Sequence, residues 1–187
     1  MPARKPLSRA PRKAKPSGKR VGVLGAGAWG TAVAKALAEN GHDVTIWARE
    51  GELAAAINER HENGAYLPGV ALPERLRAST EPLDAANGSE ALFIAVPSPY
   101  MLQTVKRVLT SPDIMEGRTL VAVLTKGFVA TERGPRLIVE TLEDYLPGFY
   151  RGNLVYVSGP SHAEEVSRGL MTGLAAASVN GRNAIRV

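Results

Sequence analysis

The six-residue turn Gly-Ala-Gly-Ala-Trp-Gly directly follows the apolar run Val21–Leu24. The spacing of its glycines suits a pyrophosphate, because Gly25 permits a tight turn and Gly27 lets the backbone approach a ligand. Gly30 allows the next helix to pack closely against the strand, and the free N–H groups at the start of that helix would face the phosphates. The pattern predicts a dinucleotide-binding turn; the alternative is an ordinary glycine-rich connection between a strand and a helix.

The residues after the second apolar run, Val44–Trp47, bear on which dinucleotide fits. An acidic side chain at this point accepts hydrogen bonds from the ribose 2′-hydroxyl of NAD, whereas a guanidinium pairs with the 2′-phosphate of NADP. Arg49 lies here, 19 residues after Gly30, and the sequence therefore favours NADPH over NADH. Glu50 leaves NAD open, because its carboxylate would serve the ribose if Arg49 pointed to solvent.

Two further positions suggest contacts with an anionic substrate. Lys126 follows the apolar run Leu120–Leu124, so its ammonium would lie at a sheet edge near a phosphate or a developing alkoxide; the alternative is a solvated loop lysine. Ser161 precedes Glu164 by three residues, which is the spacing of a capping box that opens a helix. Its hydroxyl would face an anion, although a plain capping role explains the serine equally well. A surface or packing role is favoured for His162 over a general acid.

These residues need a scaffold that brings strand ends together, and the chain supplies one. From Arg20 onward, short β-branched runs alternate with helical patterns, which is typical of βαβ units. Right-handed crossovers then give an α/β fold of the Rossmann type, a doubly wound and mainly parallel sheet with helices on both faces. Because the carboxyl ends of parallel strands gather at one edge, we expect ligands to bind there.

The predicted elements follow from apolar periodicity and turn residues. The predicted strands are Val21–Leu24, Val44–Trp47, Leu76–Ser79, Ala91–Val96, Leu120–Leu124, Leu154–Val157 and Leu174–Val179. The predicted helices carry Val33 to Leu37, Leu53 to Arg60 and Leu137–Leu146, with one more opening at Ser161. Residues 61–73 are predicted to be a loop, since glycine and proline punctuate them, and Asn180–Val187 has no clear place in the pattern.

Composition limits the class of protein. A length of 187 residues with 44% hydrophobic residues suffices for one well-buried core. The longest apolar runs fall short of the roughly 18 residues that cross a bilayer, so no membrane insertion is expected. The absence of cysteine excludes a disulfide framework, and without a Cys/His cluster or an acidic pair no metal site is predicted.

The net charge of +5 is uneven along the chain. Residues 1–20 hold eight Lys or Arg and no acid, whereas the remaining residues hold 15 basic and 18 acidic side chains. We predict that residues 1–19 are a disordered basic arm and that residues 20–187 are the nucleotide-binding domain. No nucleic-acid partner is expected, although binding of the arm to a nucleic acid or an anionic surface is the alternative.

Four more segments, together with the Rossmann pattern, indicate a resemblance to one family. They are Asn58–Asn63 with Tyr66–Val70, Val96-Pro97-Ser98, Thr125-Lys126-Gly127 and Ser158–Glu165. In this order, and with the glycine turn, they resemble the strand-end motifs of bacterial-type glycerol-3-phosphate dehydrogenases over about residues 20 to 180. That resemblance implies reduction of dihydroxyacetone phosphate to sn-glycerol 3-phosphate, a phospholipid precursor, with NADPH or NADH in the cytoplasm.

The resemblance also implies roles for individual residues. It assigns Trp29, Arg49, Lys126 and Ala163 to the cofactor, beside the glycines of the turn. It assigns Lys126, Gly159 and Ser161 to the substrate. Pro97 would shape the wall beside the nicotinamide. The alternative role for Trp29 is packing at the start of the helix. Ala28 stands where the family usually has serine, which removes one hydroxyl contact to the pyrophosphate.

The largest departure from the family concerns the catalytic half. The family's catalytic lysine comes from a Gly-Gly-Ala-x-Lys-Asn segment of a C-terminal helical domain, which this sequence lacks. We therefore expect the chain to be a cofactor-binding portion that binds without turnover, its full-length parent being a possible homodimer. The alternatives are a nucleotide-binding module without chemistry and a related reductase or hydroxy-acid dehydrogenase.

Overall fold

The computed structural model describes residues 18–132 and 134–187. Eleven strands are found in these residues. They are β1 (Arg20–Leu24), β2 (Asp43–Trp47), β3 (Glu62–Asn63), β4 (Leu67–Ala71), β5 (Leu76–Ser79), β6 (Ala91–Ile94), β7 (Leu120–Val123), β8 (Phe128–Thr131), β9 (Gly134–Leu137), β10 (Val155–Ser158) and β11 (Ala175–Ala177). The predicted basic arm lies outside the described residues except for Gly18 and Lys19.

Eight α-helices occur in the described residues. They are α1 (Ala28–Glu39), α2 (Gly51–Ala55), α3 (Pro82–Ala86), α4 (Ser98–Val108), α5 (Pro112–Met115), α6 (Ile138–Tyr145), α7 (Ala163–Ser167) and α8 (Gly181–Arg186). A wider π-helical turn, Ala56–Arg60, continues α2, and a 3-10 turn spans Gly148–Tyr150. No described helix is both long enough and apolar enough to pass through a bilayer.

Seven strands form one sheet in the order β11-β10-β7-β6-β1-β2-β5. All its pairs are parallel except that of β10 with β11. The strand order reverses beside β1, since the chain adds β2 and β5 on one side and β6, β7 and β10 on the other. The predicted Rossmann-type fold is confirmed, and the carboxyl ends of the parallel strands share one edge.

The core lies on both faces of this sheet, as alternating side chains of each strand require. On one face Val23 belongs to an apolar cluster that includes Ala34 of α1. On the other face the next residue, Leu24, belongs to a cluster that includes Met101 of α4 and Leu142 of α6. Helices therefore cover both faces, and three residues separate the carboxyl end of β1 from the start of α1.

Several segments differ from the sequence prediction, among them α3, α4 and α5, for which no helix is predicted. The loop predicted for residues 61–73 contains an antiparallel ribbon of β3 and β4. Its glycine and proline punctuation obscured the ribbon, which the burial of Asn63 and Leu67 stabilises. A second ribbon pairs β8 with β9 after the loop that follows β7, and the unassigned C-terminal segment forms α8.

Candidate functional site

The glycine turn lies between the carboxyl end of β1 and the start of α1. Gly25 has φ +110°, a conformation that side chains other than glycine rarely adopt. A Cβ built on Gly25 would lie 2.9 Å from the carbonyl oxygen of Ala95. The Gly25 N–H donates to the carbonyl oxygen of Trp47 at 3.2 Å, which ties the turn to the end of β2.

Gly27 and Gly30 have opposite surroundings within the same turn. Gly27 is the N-cap residue of α1 and provides no side-chain cap. A Cβ built on Gly27 would meet nothing within 4 Å, whereas one on Gly30 would lie 2.0 Å from the carbonyl oxygen of Gly25. The turn therefore packs tightly on its inner side and presents uncapped backbone N–H groups to open space, which fits an anionic pyrophosphate.

A cavity of about 520 Å³ opens over this turn. Its walls come from the turn, the end of β2, the segment after β6 and one face of α4. They consist of Gly25, Ala26, Gly27, Ala28, Trp29, Gly30, Trp47, Arg49, Glu50, Tyr66, Ala95, Val96, Pro97, Tyr100, Gln103, Thr104 and Arg107. Seven residues predicted for the cofactor, namely the three glycines with Ala28, Trp29, Arg49 and Pro97, thus line one space.

Arg49 and Glu50 lie together at the β2 end of this cavity. The Nε and Nη2 atoms of Arg49 donate to Glu50 Oε1 at 2.9 and 2.7 Å. This hydrogen bond, with the charge of the carboxylate, raises the pKa of the guanidinium. The side chain of Arg49 is largely exposed and that of Glu50 is partly exposed, so the pair is free to rearrange around a ligand. The structure brings both sequence candidates for the 2′ position to the same wall.

Sequence reasoning missed the α4 side of the cavity. Tyr100, Gln103, Thr104 and Arg107 line it, and they follow the i, i+3, i+4, i+7 spacing that marks one helical face. That periodicity was the signal available in the sequence. No helix is predicted between the strands Ala91–Val96 and Leu120–Leu124, so this face of the cavity was missed.

A second cavity, of about 310 Å³, adjoins the first. The two share Trp29, Ala95, Val96 and Pro97 as a common wall. The other residues that line the second cavity are Leu124, Thr125, Lys126, Ser161, His162 and Ala163. The structure thereby brings Lys126 and Ser161, which are 35 residues apart in sequence, to one space beside the glycine-turn cavity.

Gly159, itself a substrate candidate, connects the other two, Lys126 and Ser161. Lys126 Nζ donates to the carbonyl oxygen of Gly159 at 3.3 Å, and Ser161 Oγ donates to the same oxygen at 3.4 Å. A Cβ on Gly159 would lie 2.3 Å from the carbonyl oxygen of Gly173, so close packing requires glycine there. The ammonium of Lys126 is exposed and supplies the positive charge that a phosphorylated substrate would need.

The capping box predicted at Ser161 is wrong. The helix α7 begins at Ala163 with His162 as its N-cap residue, and the cap makes no side-chain hydrogen bond. The Ser161 hydroxyl lies too early in the chain to reach the free N–H groups of the helix and instead contacts Gly159. This leaves Ser161 at the cavity without a structural capping role.

Ala163 and Trp29 support the site by packing. Ala163 is 9% exposed and belongs to a cluster with Ala32 of α1 and Leu67 of β4, against which Trp29 packs. The indole N–H of Trp29 is buried and has no hydrogen-bond partner among the described residues. Trp29 therefore packs against this cluster, as its alternative role predicts, and it also forms part of the wall between the two cavities.

A buried amide fixes the outer side of the glycine turn. Asn63 Nδ2 donates to the carbonyl oxygen of Ala26 at 2.9 Å and to Thr31 Oγ1 at 2.8 Å. Its Oδ1 accepts from the Tyr66 N–H at 3.1 Å. Asn63 thus connects the ribbon of β3 and β4 to the turn, a role that its place in a predicted loop did not indicate.

The described residues contain no group of three or more His, Asp or Glu side chains that would hold a metal ion. The donor groups that line the two cavities at this edge of the sheet include backbone N–H groups, two arginines and Lys126. Thr125 braces the edge, because its hydroxyl donates to the carbonyl oxygen of Val96 at 2.7 Å. The arrangement suits a dinucleotide in the larger cavity and a small anion in the adjoining one.

Comparison with known proteins gives a family match. The family described as "NAD-dependent glycerol-3-phosphate dehydrogenase N-terminus" matches residues 20–184. The chain is 45% identical over 176 residues to the glycerol-3-phosphate dehydrogenase (NAD(P)+) of Treponema pallidum, covering 89% of this chain and 49% of that protein. The enzyme of the same name from Bacillus velezensis is 42% identical over 149 residues, with coverage of 79% and 41%.

Solved structures agree with this match. A glycerol-3-phosphate dehydrogenase from Coxiella burnetii has a TM-score of 0.77 at 29% identity and covers 90% of this chain and 49% of its own. That from Saccharomyces cerevisiae has a TM-score of 0.73 at 26% identity, with coverage of 87% and 47%. The chain spans about half the length of these relatives.

Proposed function

The chain belongs to the family of NAD-dependent glycerol-3-phosphate dehydrogenase N-terminal domains, and on that premise we propose that it is the cofactor-binding portion of an enzyme that reduces dihydroxyacetone phosphate to sn-glycerol 3-phosphate. The observation that carries the proposal is the pair of adjoining cavities. One has an uncapped glycine turn, the other has Lys126 beside Gly159 and Ser161, and Trp29 and Pro97 belong to both walls.

NADPH, or less favourably NADH, fits the larger cavity. The backbone of residues 25–30 would hold the pyrophosphate, and Arg49 would face the 2′-phosphate. When bound, the nicotinamide supplies the hydride that reduces a ketone. Pro97 and Trp29 would separate the cofactor from water on the side that faces the second cavity. Ala163 contributes through its packing against α1 and through its place in the wall.

Lys126 and Ser161 act on the substrate in this proposal. The Lys126 ammonium supplies a positive charge for the phosphate or for the oxygen that becomes an alkoxide. The hydroxyl of Ser161 is free of a capping role and can donate to the same anion. The carbonyl oxygen of Gly159 orients both groups, since it accepts from each of them.

The proton that completes the reduction comes from elsewhere in the proposed enzyme. The family resemblance assigns this role to a lysine of a C-terminal helical domain, so we expect residues 1–187 alone to bind the cofactor without turnover. Nearly complete exposure of Met171, Val179 and Ile185 supports the proposal that this end of the domain packs against further protein in the active enzyme. The complete enzyme is proposed to be a cytoplasmic homodimer.

An activity assay on two proteins tests this proposal. The first is the 187-residue chain, and the second is the same chain joined to the C-terminal half of the Treponema pallidum relative. Consumption of NADPH with dihydroxyacetone phosphate should occur in the joined protein only. Lys126→Ala should reduce its rate at least about a hundredfold, whereas Lys19→Ala, which alters a half-exposed side chain just before the amino end of β1, should leave it unchanged. An inactive joined protein, or one that prefers hydroxy acids without phosphate, would contradict the proposed substrate.

A further inference from the structure

Two arginines, rather than one, face the cavity where the adenosine end of a dinucleotide is proposed to bind. Arg49 reaches it from the end of β2, and Arg107 reaches it from the last turn of α4. We propose that Arg107 is a second specificity residue, which binds the 2′-phosphate of NADPH together with Arg49. This inference rests on the proposed function and adds to it a residue that the family resemblance does not assign.

The position of Arg107 is fixed by an indole ring. The guanidinium carbon lies 5.7 Å from the centroid of the Trp47 ring, within the range of a cation–π contact. The ring itself is held, because Trp47 Nε1 donates to the carbonyl oxygen of Thr80 at 2.9 Å. Trp47 is buried and lies two residues before Arg49 in the chain. Both guanidinium groups are thus tied to the same strand end.

The charges around this end of the cavity are paired but weakly held. Arg49 contacts Glu50, and Arg107 Nη2 lies 3.4 Å from Glu81 Oε2. The side chains of Arg107 and Glu81 are 46% and 68% exposed. Exposed pairs of this kind contribute little to stability, so each arginine can exchange its carboxylate for a phosphate dianion at small cost.

This arrangement explains how one cavity can accept both dinucleotides. With NADH, Glu50 and Glu81 keep the arginines neutralised. Arg49 donates to Oε1 of Glu50, so Oε2 remains available to the ribose hydroxyls. With NADPH, two planar guanidinium groups replace carboxylate partners with phosphate oxygens, which are strong acceptors for such donors. Removal of Arg107 should therefore weaken NADPH binding selectively, and removal of the Glu81 charge should strengthen it.

The test is a calorimetric titration of the full chain with NADPH, NADH, adenosine 2′,5′-bisphosphate and 5′-AMP. Arg107→Gln removes the charge but keeps part of the stem on Trp47, and Arg107→Ala removes both. For each variant we expect about a tenfold or larger loss of affinity for NADPH and for the bisphosphate, with NADH and 5′-AMP changed by less than about twofold. Glu81→Gln should tighten NADPH alone.

Lys106→Ala is the matched control. Lys106 is the neighbouring cation on α4, but its Nζ lies 4.9 Å from the centroid of the Tyr145 ring and the residue does not line the cavity, so all four affinities should stay as they are. Equal loss for both dinucleotides in Arg107→Gln would mean that Arg107 only supports packing, and no loss for either would also overturn the inference. Failure of the unaltered chain to bind either dinucleotide would instead contradict the proposed function.

Discussion

A Cβ atom built on Gly30 would lie 2.0 Å from the carbonyl oxygen of Gly25. The first turn of α1 therefore packs against the glycine turn with no room for a methyl group. We predict that Gly30→Ala displaces α1 and lowers the free energy of unfolding by roughly 1 to 3 kcal/mol or more, the usual cost of overpacking. Urea denaturation followed by circular dichroism measures this loss. An unchanged midpoint would mean that α1 is not seated against the turn.

Gly27→Ala, in the same turn, is expected to leave stability nearly unchanged and to weaken cofactor binding. The new methyl group would enter open space at a φ of −69°, which alanine adopts freely. We expect the unfolding free energy to stay within about 1 kcal/mol of the original value, whereas affinity for NADPH falls at least about tenfold, because the methyl group occupies the proposed phosphate position. Retained affinity in this well-folded variant would show that the turn is not the phosphate site.

We predict that Asn63 contributes substantially to the free energy of unfolding, although it lies in a segment that the sequence predicted to be a loop. Its amide is fully buried and bonds to Ala26, Thr31 and Tyr66. Asn63→Ala leaves these groups unsatisfied, and we expect it to cost about 1 to 3 kcal/mol. Asn58→Ala, which removes exposed bonds to the backbone of Ala78, serves as the control and should cost less. A larger loss in the control would contradict the proposed role of Asn63.

We predict that the buried phenol of Tyr150 makes the free energy of unfolding fall at alkaline pH. Its hydroxyl donates to the carbonyl oxygen of Thr119 at 3.0 Å, and burial, with a smaller effect of Asp113, raises its pKa to about 12. The neutral phenol is thus favoured in the folded state. The stabilisation is complete below the unfolded pKa of about 10 and is lost as the pH rises toward 12.

The comparison with Tyr150→Phe isolates this effect. At neutral pH the variant should be less stable by about 1 kcal/mol, because it lacks the hydrogen bond. Between about pH 10 and pH 12 the difference should shrink and then reverse, since phenylalanine does not ionise. Urea denaturation of both proteins across this range gives the curve. A constant difference over the whole range would mean that the phenol ionises equally well in both states.

The parts of the fold that the sequence predicted are those in which local pattern and tertiary packing agree. Strands β1, β2, β6, β7 and β10 overlap the predicted apolar runs, and β5 has its predicted bounds although only Leu76 in it is buried. In the glycine turn, Gly25 and Gly30 meet steric requirements that only glycine satisfies. The shared location of Lys126 and Ser161 could also be predicted, because residues that follow the ends of parallel strands lie at the same edge of the sheet. Both residues line the second cavity for that reason.

What could not be predicted depends on partners distant in sequence. The ribbon of β3 and β4 is held by Asn63, whose partners lie more than 30 residues earlier in the chain. Ser161 carried a capping pattern, but the start of α7 is set by its packing against α1, which placed His162 at the cap. A role for Arg107 at the cavity could not be predicted either, because it depends on the packing of α4 beside Trp47.

Direct titration of the 187-residue chain with NADPH and with NADH tests the central claim, that the glycine turn and Arg49 form an NADPH site. Isothermal calorimetry should give one site per chain and tighter binding of NADPH. Arg49→Ala should reduce the preference for NADPH about ten- to a hundredfold, the value of one charge-assisted contact, while the affinity for NADH changes little. Tighter binding of NADH by the original chain, or an unchanged preference in Arg49→Ala, would contradict the assignment.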